Sequence, residues 1–152
     1  MYNVYVKGFV GNLGTKVLIE EKKNELLKYF SNAYIEKVEN DLRDGLSPSL
    51  FIEKEIKNNI FDEEEISRGG FLASLWKICD RNKVGLKYDL SKVPIIQGTV
   101  EIANFFDINP YRLLTTNAEI MFIKNDYEII EDYHIKKIGE TNSTKQRIRN
   151  KR

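Results

Sequence analysis

The sequence is poor in the residues on which many functional sites depend. Its 152 residues include one cysteine, one histidine and one tryptophan. A single cysteine excludes an internal disulfide framework and a cysteine-based zinc cluster, and a single histidine excludes most histidine-rich metal sites. The sequence also lacks a Walker phosphate-binding loop, a nucleophile elbow and the usual spacing of metal ligands. We therefore predict no metal site and assign no catalytic residue.

Long apolar runs are absent as well. No stretch approaches the roughly 20 apolar residues that span a bilayer. The first eight residues show no basic segment followed by a long apolar run, as a secretory signal would. We therefore expect a cytoplasmic protein with no membrane partner. A chain of 152 residues suits one domain, which buries roughly 70% of its unfolded surface and so forms a core without covalent staples.

Charge is balanced overall but unevenly placed. The chain carries 24 basic and 23 acidic residues, for a net charge of +1. Five of the basic residues lie in the last eight positions, so the rest of the chain is net acidic. We predict one domain over residues 1–142 and a basic tail over 143–152. The tail could contact nucleic-acid phosphates, but a basic face with interleaved aromatic residues is missing. A solvated, frayed terminus is the favoured interpretation, and nucleic acid is not an expected partner.

The spacing of apolar residues predicts a mixed domain of the α+β class. Strands are predicted at residues 3–7, 84–90, 118–124 and 134–139, and a further strand leads through the acidic run at 62–65. Helices are predicted at 15–30, 31–42, 47–58, 98–106 and 126–132, with a short helix from Asn109-Pro110 and another opened by Gly69-Gly70. In the helix after Gly70 the apolar residues Leu72, Leu75, Trp76 and Cys79 share one face, which we expect to pack in or against the core.

The stretch Ser67-Arg68-Gly69-Gly70 joins a predicted strand to a predicted helix. Unpaired backbone N–H groups and the helix dipole favour an anion at such a helix start, and glycine lets a ligand approach the backbone closely. Ser67 adds a hydroxyl, and Arg68 adds a forked cation suited to phosphate. These residues predict a phosphate-binding loop, while a plain turn containing a glycine pair remains the alternative.

Three other candidates favour structural roles. Carboxylates of the acidic run at 62–65 suit Mg²⁺, but four consecutive side chains on a strand cannot face one ion. A solvated strand edge is therefore predicted there. Cys79 lies on the apolar helix face, which predicts core packing rather than nucleophilic chemistry. His134 has no second histidine or cysteine with which to form a metal site, so we predict a structural or exposed position for it.

An ordered series of segments resembles the C-terminal domain of the AIR synthase-related superfamily. The segments are SRGGFLASLW at 67–76, VGLKYDL at 84–90, Val93-Pro94, residues 99–106, Asn109-Pro110-Tyr111, the strand at 118–124, the GNLGT turn at 11–15 and Ile138-Gly139. The superfamily includes aminoimidazole ribonucleotide synthase, the hydrogenase-maturation carbamoyl dehydratase, selenophosphate synthetase and thiamine-phosphate kinase. The resemblance extends to about residue 141 and is closest to the hydrogenase-maturation branch.

This resemblance implies a mixed sheet with packed helices and a link to ATP. Members use ATP or an ATP-derived phosphoryl group and are usually two-domain proteins that work as dimers. Their N-terminal domain holds the acidic Mg-nucleotide site, and a Thr-x-Gly-Gly loop of the C-terminal domain lies near the phosphates. By this match Ser67 stands in place of the threonine, and Glu65 and Asn117 stand at accessory positions. ATP and Mg²⁺ are then expected only when the chain pairs with an N-terminal-type domain. The expected partner is such a domain or further copies of the chain in a homo-oligomer.

The sequence also departs from the superfamily pattern. Glu65 stands where aspartate is usual, so its carboxylate is displaced by one methylene. The small Ser-Gly-Ser-like turn appears as Thr116-Asn117-Ala118 and loses its glycine. The matching region begins within the first few residues, which leaves no room for the nucleotide domain, and activity of the chain alone is not expected. Two functions stay open: a domain that covers nucleotide phosphates, or a non-catalytic module that binds a protein or itself.

Overall fold

The computed structural model describes residues 1–45 and 54–149. Its helices and strands, in chain order, are β1 (Tyr2–Lys7), α1 (Asn12–Leu26), α2 (Asn32–Gly45), α3 (Lys54–Asn58), β2 (Ile60–Glu65), α4 (Gly70–Asn82), β3 (Gly85–Tyr88), α5 (Gln97–Phe105), β4 (Glu119–Lys124), β5 (Ile135–Asn142) and β6 (Arg147–Arg149). Two 3₁₀ turns lie at Leu90–Lys92 and Pro110–Arg112. The predicted α+β class is confirmed. The predicted helix start at Ser47-Pro48 and the tail residues Lys151 and Arg152 lie outside the described residues.

The strands form one six-stranded sheet in the order β2-β4-β1-β5-β3-β6. All neighbours are antiparallel except β3 and β6, which are parallel. The central strand β1 pairs with β4 and β5 and is buried over most of its length, because both of its faces are covered. None of the described helices is long and apolar enough to cross a bilayer.

Three apolar clusters hold the layers together. Helix α4 packs on one face of the sheet, where its Phe71 and Leu75 meet Val6, Ile120 and Phe122. The layer of α1, α2 and α5 has a core of its own, formed by Ile19, Leu26, Ile35, Val38, Leu42 and Ile102. A smaller cluster covers the other face of the sheet and consists of Tyr5, Met121, Ile123, Ile129 and Ile135. Each fully buried aliphatic side chain contributes roughly 1.5–3 kcal/mol of burial free energy.

Helix starts that the capping residues predict are confirmed where the structure describes them. Ser31 Oγ accepts the Tyr34 N–H at 3.1 Å at the start of α2. Asn109 Oδ1 accepts the Tyr111 N–H at 3.0 Å before the 3₁₀ turn Pro110–Arg112. Both contacts satisfy a backbone donor that a helix start leaves unpaired. Cys79 is fully buried in the main core, as predicted.

The helix predicted at residues 126–132 is wrong. This segment is an irregular connection, and Tyr127 and Ile129 both pack against the face of the sheet opposite α4. Side chains two residues apart share a direction on extended backbone, whereas a helix would turn them about 200° from each other. The Ile129 N–H also donates to Tyr5 Oη at 3.4 Å, which ties the connection to β1.

The prediction of a frayed basic terminus is also wrong over residues 147–149. Strand β6 pairs in parallel with the outer edge of β3, where backbone groups would otherwise lack partners. The Leu86 N–H donates to Gln146 O at 2.6 Å. Gly85 permits this approach, since a Cβ there would lie 2.3 Å from the Gln146 backbone. The basic residues of β6 are therefore fixed to the sheet.

Candidate functional site

The loop between β2 and α4 contains all four predicted phosphate-binding residues. The Gly70 N–H donates to Ser67 O at 3.2 Å and closes a tight turn. Gly69 and Gly70 have φ values of 97° and 86°, in the left-handed region that glycine adopts without strain. Ser67, Arg68 and Gly69 are exposed, whereas Gly70 is buried. The predicted strand–loop–helix arrangement is confirmed, and it presents a hydroxyl, a guanidinium and a bare backbone to solvent.

The two glycines have different tasks. A Cβ on Gly70 would lie 2.6 Å from Tyr111 O, because the 3₁₀ turn Pro110–Arg112 packs directly against it. Its N–H is already used inside the turn, so Gly70 shapes the loop. A Cβ on Gly69 would meet the Ala73 Cβ at 3.1 Å and no backbone atom. Gly69 is thus the glycine whose backbone a ligand can approach.

The helix dipole gives the N-terminus of α4 a partial positive charge, and no side chain among the described residues caps it. Gly69 caps the helix without a side-chain hydrogen bond, and the first turn contains no acidic residue. Ser74 instead stiffens the loop from below, since its Oγ accepts the Ser67 N–H and donates to Gly70 O, each at 3.2 Å. Unpaired N–H groups and the helix dipole act in the same direction here and favour an anion.

Glu65 is not brought to this loop. Asp62 and Glu64 reach Arg81 on α4, at 2.9 and 2.6 Å, so they lie on the α4 face of the sheet. Side chains alternate along a strand, which places Glu65 on the opposite face, across from Glu119. The accessory position suggested by the resemblance therefore lies on the far side of the sheet from the helix start.

The acidic run forms ion pairs along the strand edge. Burial acts to raise the pKa of Asp62, but the hydrogen bonds from Arg81 and Asn82 outweigh it and lower that pKa. Burial and the neighbouring Glu119 carboxylate raise the pKa of Glu63. Within residues 1–45 and 54–149, no group of three or more histidine, cysteine or acidic side chains is arranged to hold a metal ion. His134 Nδ1 lies 2.7 Å from Asp132 Oδ1.

Asn117 lies at the same end of the sheet as Ser67. The Ile66 N–H donates to Ala118 O at 3.0 Å, so the residues that flank this pair, Ser67 and Asn117, emerge side by side from β2 and β4. Asn117 has φ 54°, a left-handed conformation that asparagine tolerates better than most residues. Asn117 therefore adopts a backbone conformation that glycine also favours.

The sequence analysis did not predict a cleft that lies beside the glycine loop. It has a volume of about 570 Å³ and is lined by Gly69, Leu72, Ala73, Trp76, Asn109, Tyr111 and Arg112. Of the apolar face predicted on α4, Leu75 and Cys79 are fully buried, while Leu72 and Trp76 are half-buried and line this cleft. The sequence signal was the surplus of apolar residues on α4, which exceeds what one core-facing stripe needs.

Comparisons with known proteins identify the fold. No family model matches the sequence, and no curated protein matches it. Among solved structures, the HypE–HypF complex contains a chain that is 20% identical with a TM-score of 0.66, over 97% of this chain and 48% of that chain. Thiamine monophosphate kinase from Aquifex aeolicus is 17% identical with a TM-score of 0.64, over 97% of this chain and 51% of the kinase. HypE in complex with ATP is 16% identical with a TM-score of 0.62, over 93% of this chain and 42% of HypE.

These neighbours share the fold that the resemblance predicted. HypE and thiamine monophosphate kinase are both AIR synthase-related proteins, so the prediction of an AIR synthase C-terminal-like fold is confirmed. The chain spans about half the length of the solved proteins that it matches.

Proposed function

We propose that this chain serves as the C-terminal-type domain of an ATP-dependent, AIR synthase-related protein and covers nucleotide phosphates with the loop Ser67-Arg68-Gly69-Gly70. The observation that carries the proposal is the exposed loop at the uncapped, acid-free start of α4. The fold likeness to HypE, which has been solved in complex with ATP, supports a nucleotide as the ligand.

The loop residues would act by position and charge. The Arg68 guanidinium can donate two parallel hydrogen bonds to phosphate oxygens, and the Ser67 hydroxyl and the Gly69 backbone add neutral donors. Phosphoryl transfer gains chiefly from such positioning and electrostatic stabilisation, with no covalent step on the protein. Gly70 holds the turn in shape through its bond to Ser67 O. Because Arg68 is exposed, it can reach a nucleotide held by a facing domain.

The partner in this proposal is an N-terminal AIR synthase-type domain, whereas a homo-oligomer of the chain belongs to the second function below. That domain would supply the acidic residues for Mg²⁺ and most of the nucleotide site, and the complex would work in the cytoplasm. The present chain spans about half the length of its structural neighbours. The chain alone is then expected to show no ATP turnover.

The test is recovery of the partner followed by turnover. The tagged chain is used to isolate its partner from native extract, and ATP hydrolysis is measured for the reconstituted pair. Arg68→Ala is expected to lower turnover about tenfold or more, because it removes a forked cation from the transferred phosphoryl group. Arg43→Ala, which removes an exposed arginine from α2, is the matched control. Unchanged turnover with Arg68→Ala would contradict the proposal.

A second function is a non-catalytic module that binds a protein or itself, and one surface favours it. Tyr29 is 74% exposed and Phe105 is 37% exposed, and both pack with Phe30 at the end of the helical layer. Exposed aromatic patches often mark interfaces. A stable oligomer by light scattering, unaffected by ATP and dissociated by Tyr29→Ser, is the expected result for this function. A strictly monomeric chain that binds ATP tightly would exclude it.

A further inference from the structure

The cleft between α4 and the 3₁₀ turn Pro110–Arg112 has the composition of a small-molecule site. Its volume of about 570 Å³ lies in the range of about 300–1,000 Å³ typical of such sites. One wall is apolar and comes from Leu72, Ala73 and Trp76 of α4. The other wall carries the polar groups, from Asn109, Tyr111 and Arg112.

The apolar wall is not needed by the core. Helix α4 fills the main core with Phe71, Leu75, Ile78 and Cys79, all of them fully buried. Leu72 and Trp76 lie next to this stripe and are only half-buried. The Trp76 ring is nevertheless held in place, since Tyr88 packs edge-on against it with ring centroids 5.6 Å apart. A fixed, partly exposed indole is a rigid surface for a flat ligand.

The cleft is lined by a single charged residue, the cation Arg112. Arg112 is exposed, and within the described part of the chain no hydrogen bond or ion pair engages its side chain. Strand β6 adds Arg147, whose guanidinium lies 4.8 Å from the Trp76 ring centroid and forms an ion pair with Asp80. Burial and the charge of Asp89 raise the pKa of the Tyr111 hydroxyl, and the charge of Arg149, two residues along β6, opposes them. None of the residues that line the cleft is acidic.

We propose that this cleft binds a small organic oxyanion with a planar ring. The ring lies against Leu72, Ala73 and Trp76, and the oxyanion is held by Arg112. A ligand of this class can contact both the apolar wall and the Arg112 guanidinium, whereas a neutral ring would contact the apolar wall alone. Ser67 and Arg68 do not line the cleft. Gly69 lines the cleft and also belongs to the loop proposed to cover phosphates, so the two sites adjoin, and Arg112, which lies outside that loop, distinguishes them.

The experiment uses the full chain alone, with Trp76 as the reporter, because it is the sole tryptophan of the sequence. Four probes are titrated with fluorescence and calorimetry: AMP, adenosine-5′-carboxylic acid, adenosine and inorganic phosphate. We expect AMP and adenosine-5′-carboxylic acid to bind saturably, about tenfold or more tighter than adenosine or inorganic phosphate. The tighter of the two anions identifies the preferred head group as phosphate or carboxylate.

Variants at Arg112 test the proposed anion contact. Arg112→Ala is expected to weaken binding of the anionic probes about tenfold or more and to leave adenosine binding unchanged, since only the charge contact is lost. Arg112→Lys should retain part of the affinity, because it keeps the charge but not the forked geometry. Arg43→Ala is the matched control. The proposal is overturned if adenosine binds as tightly as the anions, if Arg112→Ala binds like the wild type, or if neither anion gives heat or a fluorescence change.

Discussion

Two helices of this protein begin with the same backbone device and use it differently. Both α1 and α4 start after a left-handed glycine without a side-chain cap, Gly11 at φ 77° and Gly69 at φ 97°. The backbone N–H groups around Gly11 form hydrogen bonds within the protein. The Gly11 N–H donates to Thr115 Oγ1 at 2.9 Å, and the Gly14 N–H donates to Leu114 O at 2.9 Å. Around Gly69 the loop is exposed and faces a cleft.

The difference lies in what packs on each loop. Asn12 follows Gly11, is fully buried, and is bound three times: its Oδ1 accepts the N–H groups of Leu13 and Thr116, and its Nδ2 donates to Thr116 O. Ser67 stands before Gly69 with its side chain in solvent. A glycine-rich helix start is thus a structural joint where a neighbouring loop pairs its N–H groups, and it is accessible to a ligand only where its loop stays exposed.

The largest effect is expected from Asn12→Ala. It removes the buried amide and leaves the Thr116 backbone groups without partners, at a cost of about 3 kcal/mol in the free energy of unfolding. Ser67→Ala, at the corresponding open loop, should change that free energy by less than about 0.5 kcal/mol. Urea unfolding followed by circular dichroism measures both. Equal losses at the two loops would remove the distinction between them.

A second pair of substitutions separates the two glycines of the open loop. Gly70→Ala combines a left-handed φ with a contact of 2.6 Å to the Tyr111 carbonyl oxygen, and should destabilise the protein by about 2–3 kcal/mol. Gly69→Ala meets only the Ala73 side chain, so about 1 kcal/mol is expected. Thermal unfolding of both variants gives the difference. A larger loss at Gly69 would mean that the 3₁₀ turn does not restrict this loop.

Asn117 tests whether the lost glycine matters to the turn. Its φ of 54° predicts that Asn117→Gly leaves stability within about 0.5 kcal/mol of the wild type. Asn117→Val should cost about 1–2 kcal/mol, because a β-branched residue is strained in the left-handed region. Chemical denaturation compares the three chains. If valine is tolerated as well as glycine, then the conformation at residue 117 is not what selects asparagine.

The smallest effect is expected at the C-terminal end of α4, where Arg81 and Asn82 bind the carboxylates of β2. Arg81 and Asn82 lower the pKa of Asp62, so the folded state holds this carboxylate ionised more strongly than the unfolded state. The resulting stability is present above the usual aspartate pKa and is lost as the pH falls through the lowered one. Arg81→Gln should cost about 0.5–1 kcal/mol near neutral pH, given how exposed the pair is, and less once the pH falls below that lowered pKa. Urea midpoints across this range provide the check, and a pH-independent loss would assign the effect to packing.

Much of the fold was accessible from local pattern. The strands at β1 and β4, the capped start of α2 and the strand–loop–helix at Ser67-Arg68-Gly69-Gly70 follow from periodicity and from cap chemistry that acts within a few residues. Strand β6 did not, because three residues of Arg-Ile-Arg carry too short an alternation and depend on the open edge of β3. The helix predicted at 126–132 failed because tertiary packing of Tyr127 and Ile129 overrode local preference.

The candidate site divides in the same way. The glycine pair indicates its backbone geometry directly, since glycine adopts positive φ values without strain and both Gly69 and Gly70 have them. The cleft could not be predicted from local pattern. It forms only because the 3₁₀ turn Pro110–Arg112, about 40 residues further along the chain, packs against α4. Periodicity places Leu72 and Trp76 on the apolar side of α4 but cannot say where the sheet ends and the cleft begins.

The buried position of Cys79 has a practical consequence for reactivity. Burial raises the pKa of its thiol to about 11, so roughly one molecule in ten thousand carries the nucleophilic thiolate at neutral pH. Modification by alkylating reagents and oxidants then requires a local opening that separates α4 from the sheet, and the rate of modification measures that opening. Because the sequence holds no second cysteine, a thiol introduced at Ser67 would react alone and place a label on the open loop without competition.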